Sequence, residues 1–197
     1  MLSYKQFTES LIKPSDKPNT MSFWHGGDLG YSYSDSMSYK KGRYEFGVGL
    51  YLTTHYDTAK KYAKGSRKLY MITVEKGKNL SESTIDFEVV KQFVDRWVMT
   101  KKKKDVIQRL EKHNKEGKVP AEILSNIIIN EEAIKPTNMD ELRKLFLSQG
   151  IDYLLVNSPF GWGEKMMVLF NTKKIVDKIV VGPKDKIEEF DLPTDFN

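Results

Sequence analysis

The chain contains no cysteine. Disulfide scaffolding and thiolate metal centres are therefore excluded. Its three histidines, His25, His55 and His113, are too scattered along 197 residues to suggest a metal site, so no metal is expected. Long apolar runs are missing too: no stretch can span a membrane, and no signal-peptide core is visible. These absences lead us to expect a soluble protein, intracellular or packaged, with no membrane partner. Charge of one sign is also scarce. A net charge of +5 from 32 basic and 27 acidic residues permits an acidic or nucleotide partner without demanding nucleic acid. No internal repeat is present. What the chain does have is core material: 39% hydrophobic and 12% aromatic residues, enough at this length for one domain.

Two motifs organise the first third. Phe23-Trp24-His25-Gly26 predicts a short buried strand ending in a glycine turn. Gly47-Val48-Gly49-Leu50-Tyr51-Leu52-Thr53-Thr54 runs from glycine into a second β-rich segment, and a short helix from Asp57 carries Ala59 and Tyr62. Such strands can line a cleft. Glycine admits a ligand to the backbone, His25 offers a hydrogen-bonding tip, and the two tyrosines offer flat faces. The intervening residues 28–46 have no clean period and read as a loop, with Lys40, Lys41 and Arg43 either facing phosphates or simply solvated.

Further along, residues 67–75 alternate as a strand, with Tyr70, Ile72 and Val74 on one face. Residues 86–116 are helical, interrupted at Thr100–Lys104 by a charged turn or a junction between two helices. The four lysines there read as a solvated face, because no aromatics interleave with them. Helices are also expected at 120–129, opened by Pro120, and at 138–148, capped by Asn138 and stopped before Gly150. Strands return at Tyr153–Val156, Lys165–Phe170 and Ile175–Val181, with a glycine-aromatic loop holding Phe160 and Trp162 between the first two. The acidic tail after Pro183 reads as a surface segment.

Taken together, Phe23–Tyr62, Gly150–Val156 and Gly163–Asn171 resemble the ADP-ribosyltransferase fold. The likeness is to its His–Tyr–Glu branch, the poly(ADP-ribose) polymerase-like and diphtheria-toxin-like enzymes. That branch shows a strand ending His-Gly, then Gly-x-Gly-x-Tyr, then Ala and Tyr on the next helix, and late in the chain a strand opening with the catalytic Glu. The resemblance covers residues 21–76 and 138–182. It implies an α+β fold of split antiparallel sheets around an NAD cleft, with a helical insertion at about 85–148. It implies NAD as substrate: His25 on a ribose hydroxyl, Gly26 reading the nicotinamide carboxamide, Tyr51 and Tyr62 sandwiching the ring. Thr53, two residues beyond Tyr51, joins these as a ribose or carboxamide partner. Phe160 and Trp162 would touch the acceptor.

The acid is where the pattern departs. Aligning Val168-Leu169-Phe170-Asn171 with the family's Val-Val-Phe-Asn puts its catalytic Glu at Met166, two residues after Glu164. Positions two apart on a strand share a face, roughly 7 Å from each other. Three readings follow. Glu164 is the acid in a shifted register; or Glu164 handles the acceptor in a weak or dead enzyme; or the fold only binds NAD, ADP-ribose or a protein. Glu164 is preferred, as the one acidic residue between Asp152 and Asp177. A further likeness lies at the start. Met1–Glu9 resembles the capsid-targeting peptide of internal head proteins of T4-like phages. The expected organisation is residues 1–20 as an N-terminal helix and linker, and 21–197 as one domain. The expected function is mono-ADP-ribosyl transfer from NAD to a host protein or nucleic acid, in the host cytoplasm or from the phage head. The alternatives are a catalytically silent binding protein acting on host defence and an internal head protein.

Overall fold

The structure is a computed structural model that describes residues 16–27, 29, 47–63, 68–158, 163–181 and 192–196. It is an α+β fold built on one six-stranded, antiparallel sheet. In chain order the strands are β1 (Thr20–Gly26), β2 (Leu50–Thr53), β3 (Leu69–Glu75), β6 (Tyr153–Asn157), β7 (Lys165–Leu169) and β8 (Ile175–Val181). Their order across the sheet is β6-β7-β2-β1-β3-β8. Helix α1 (Tyr56–Tyr62) follows β2. The segment between β3 and β6 holds α2 (Phe87–Trp97), α3 (Thr100–Glu111), α4 (Ala121–Asn130) and α5 (Met139–Ser148). A small ribbon there, β4 (Thr84–Asp86) against β5 (Lys118–Pro120), has no counterpart in the sequence-based expectation. Three-residue strands are too short to show alternation.

The sheet is nearly two sheets. β1 pairs with β3 over seven residues, from Thr20↔Glu75 to Gly26↔Leu69, and β2 pairs with β7 over four, from Leu50↔Leu169 to Thr53↔Met166. Between β1 and β2 the register holds a single pair, Trp24↔Thr53. The two sheets expected from sequence are instead one continuous sheet, whose halves β6-β7-β2 and β1-β3-β8 meet at that one register pair. One such pair contributes a hydrogen bond or two, about 1 kcal/mol each. Burial of Phe23, Trp24, Leu50 and Leu52, all fully enclosed, contributes roughly 2 kcal/mol or more per side chain. Side-chain packing, not the ladder, joins the halves.

The helical segment forms for local reasons. Asp86 caps α2 by accepting the Glu88 N–H at 2.8 Å, and Phe87, Val90, Phe93 and Val94 present one buried stripe. Val98 leaves the helix to bridge Ile134, so the charged turn is a junction and its lysines open α3. Pro120 precedes α4 as expected. Asn138 stands at the start of α5, but its side chain makes no cap bond. The tail also differs from expectation. Leu192 is buried against Trp24, and Phe196 stacks on Tyr153 with centroids 5.9 Å apart. These apolar residues override the acidic composition around them. Residue Thr20 already belongs to β1, so the linker ends at Asn19. Residues 1–9, which resemble a targeting peptide, and Lys40, Lys41, Arg43, Phe160 and Trp162 lie outside the described residues. Among those described, no helix is long and apolar enough to cross a membrane.

Candidate functional site

The candidate site gathers around the Trp24–Thr53 join. At the end of β1, His25 is buried, and its Nδ1 lies 2.8 Å from the Tyr51 carbonyl oxygen. A carbonyl can only accept, so Nδ1 carries the proton and donates. Nε2 is then an acceptor, and it has no hydrogen-bond partner among the described residues. Alternation along β1 sends the His25 side chain off the face opposite Trp24 and Thr53, and its ring reaches across to β2 at the Tyr51 carbonyl. Burial holds the imidazole below its ordinary value of 6.5, partly offset by the bond to Tyr51. Between the lowered value and 6.5, the unfolded chain takes up a proton that the folded chain refuses. Stability is therefore complete above this window and falls as the pH drops through it. We expect urea unfolding to show a larger acid-induced loss for the wild type than for His25→Asn, which keeps a donor to Tyr51. Equal losses would place the imidazole in solvent.

Gly26 and Gly49 are also sites of close packing within the protein. A Cβ on Gly26 would sit 1.7 Å from the Ala59 carbonyl oxygen and 2.8 Å from the Ala63 nitrogen, both backbone atoms of the α1 region. A Cβ on Gly49 would meet Val168 Cγ1 at 2.5 Å and the Leu169 oxygen at 3.0 Å. At these two positions the glycines let protein backbone approach protein backbone. Helix α1 is thereby pressed onto β1, and Tyr56 meets Trp24 edge-on, 5.3 Å between centroids.

On the other half of the sheet, Thr53 and Glu164 come together. The Thr53 hydroxyl donates to Glu164 Oε1 and accepts the His55 N–H at 3.0 Å. Glu164 is 1% exposed, and its Oε2 has no partner among the described residues. Its backbone is pinned on both sides. Ser158 N–H donates to the Glu164 oxygen at 2.9 Å, and Lys165 N–H donates to Thr54 Oγ1 at 2.9 Å. Thr54 in turn donates its N–H to the Lys165 oxygen, and its own carbonyl accepts from Leu192 N–H. A buried carboxyl with one oxygen anchored and one unpartnered is expensive to keep without a ligand. Thr53 is thus a positioning group for Glu164 rather than a free contact. Met166 is buried directly opposite Thr53, on the face Glu164 also shares.

The remaining predicted residues are less closely gathered. Tyr51 is half-buried and donates its hydroxyl to the Gly47 carbonyl at 2.9 Å, so its ring is held at the strand entry. Tyr62, at the end of α1, is 64% exposed. Among the described residues no hydrogen bond joins His25 to Glu164. The supporting residues Thr54, His55, Ser158 and Leu192 were missed by sequence reasoning. Only the Thr-Thr pair beside Tyr51 hinted at them, since two hydroxyls in a row on a strand serve opposite faces. Among the described residues no cluster of His, Cys, Asp or Glu is built to hold a metal ion. Comparison of the chain with known protein families, with characterised proteins and with solved structures finds no match.

Proposed function

We propose that the gap between the sheet halves binds NAD and that the protein transfers ADP-ribose to a macromolecular acceptor, of the host if the phage resemblance holds. The observation that carries this is the pair of buried acceptors, His25 Nε2 and Glu164 Oε2, on either side of the Trp24–Thr53 join, neither with a partner among the described residues. Two acceptors without donors suit a ligand rich in hydroxyls, and a ribose supplies them. In the reaction, the bond from nicotinamide N1 to ribose C1′ breaks, and its electron pair leaves with nicotinamide. The acceptor nucleophile attacks C1′ and gives up its proton. The Glu164 carboxyl, held by Thr53, holds a ribose hydroxyl and favours the positive charge that develops at C1′. His25 accepts from a second hydroxyl.

Incubation with labelled NAD and a bacterial lysate tests this. Release of nicotinamide with label on a macromolecule is the expected result. NAD bound without nicotinamide release would select the silent binding protein, and no binding at all would end the proposal. The tyrosines give a finer check. Tyr62→Ala should leave folding stability within about 0.5 kcal/mol, because the side chain is exposed. NAD affinity should nevertheless fall by roughly 1–3 kcal/mol if the ring stacks on nicotinamide. Tyr51→Ala should lower both, because that side chain also packs against the core. Calorimetric titration beside thermal unfolding separates the two; unchanged affinity in Tyr62→Ala would remove that ring from the site.

A further inference from the structure

Residues 100–118 carry eight Lys or Arg against three acids, a surplus equal to the whole chain's +5. The charge is therefore not diffuse. It sits on α3 and the turn beyond it. Lys102 and Lys103 are caught by the Glu131 carbonyl and by Asp95. Lys101, Lys104, Gln108 and Lys112 are all exposed at spacings of three and four, one face of the helix and its C-cap, with Asp105 on its edge, and exposed Lys115 follows in the turn beyond. At the C-terminal end, this face runs into a cavity of about 260 Å³ between α3 and α4. Arg109, Lys112 and His113 form one wall, Asn126 and Asn130 the other, over Ile123 and Ile127. Arg109 is half-exposed and shares its charge with Glu131 at 2.5 Å.

We infer that this face binds single-stranded nucleic acid. The lysine stripe follows the phosphates, and the cavity seats one nucleotide. Charge complementarity selects a polyanion, because the cations line up over nearly the whole helix rather than surround a point. The cavity selects a single strand. It offers carboxamide donors and acceptors for a base edge and an apolar floor for a base face, which a stacked duplex cannot use. The inference stands independently of the chemistry proposed for the sheet gap.

Fluorescence anisotropy of a labelled oligo(U) and an oligo(dT) with the full chain tests it. Binding should weaken with salt, with a slope of about −3 in log K against log salt for four phosphate contacts. Lys104→Glu with Lys112→Glu should bind at least about tenfold more weakly and flatten the slope by about 1.4. Lys173→Glu with Lys178→Glu makes the same change in net charge elsewhere and should bind as the wild type does. Asn126→Trp fills the cavity without altering charge and should weaken binding at an unchanged slope. Absence of binding by the wild type overturns the inference, as does equal weakening by both double variants. Unchanged affinity in Asn126→Trp overturns the nucleotide seat. Polyglutamate competing as well as oligonucleotide would assign the face to acidic proteins instead. Nicotinamide release, followed in parallel, keeps this outcome separate from that of the sheet gap.

Discussion

Glu164→Gln should slow ADP-ribosyl transfer and NAD hydrolysis by about 100-fold or more, a loss of roughly 3 kcal/mol of transition-state stabilisation. The substitution is unusually well confined. The Gln carbonyl still accepts from the Thr53 hydroxyl at the place of Oε1, so the anchor survives. Only Oε2, which has no partner among the described residues, changes, from an oxygen that accepts to an NH₂ that donates. NAD affinity should change little, because the missing interaction strengthens mainly as charge develops at C1′. Thr53→Val should act in the same direction by freeing the carboxyl and removing the acceptor of the His55 N–H, with Thr53→Ser restoring most of the rate. Single-turnover nicotinamide release is the measurement. A silent Glu164→Gln in an active wild type would remove Glu164 from the chemistry. Met166→Glu would then be the next test, but it places an unpaired carboxyl in a buried position opposite Thr53 and should cost stability.

Gly26→Ala should destabilise the protein by about 3 kcal/mol, the upper range for forcing extra atoms into a packed core. For a chain of this size that is a fall in melting temperature of about 10 °C. The clash is with backbone, at 1.7 Å from the Ala59 oxygen, so no side-chain rotation relieves it. Helix α1 has to lift from β1, which breaks the edge contact between Tyr56 and Trp24 and moves Tyr62. NAD binding should therefore weaken together with stability, unlike in Tyr62→Ala. Thermal unfolding and NAD titration on the same sample check both. An unchanged melting temperature would mean that α1 does not rest on Gly26.

The elements themselves were legible from local pattern. Alternation at Leu69–Glu75 and Ile175–Val181, and helical spacing at Phe87–Val94, reflect contacts within one segment, which a sequence states directly. His25, Tyr51 and Glu164 could be picked out as polar or aromatic residues at strand ends beside glycine. What they do there was not legible. Glycine before a β-rich run suggests room for a ligand, yet the atoms against Gly26 and Gly49 belong to α1 and β7.

Sequence by itself determined the α+β class, the order of strands and helices along the chain, and the presence of one carboxyl just before β7. Each of these follows from neighbours in the chain. Tertiary structure alone decided the rest. It decided that two three-stranded halves touch at a single pair, that Thr53 anchors Glu164 from 111 residues away, and that Leu192 returns from an acidic tail to cover Trp24. It also set the basic face of α3 beside a cavity shared with α4. The reason is common to all of them. Pairing register, hydrogen-bond partners and burial are set by which distant surfaces exclude water together, and no local period records that choice.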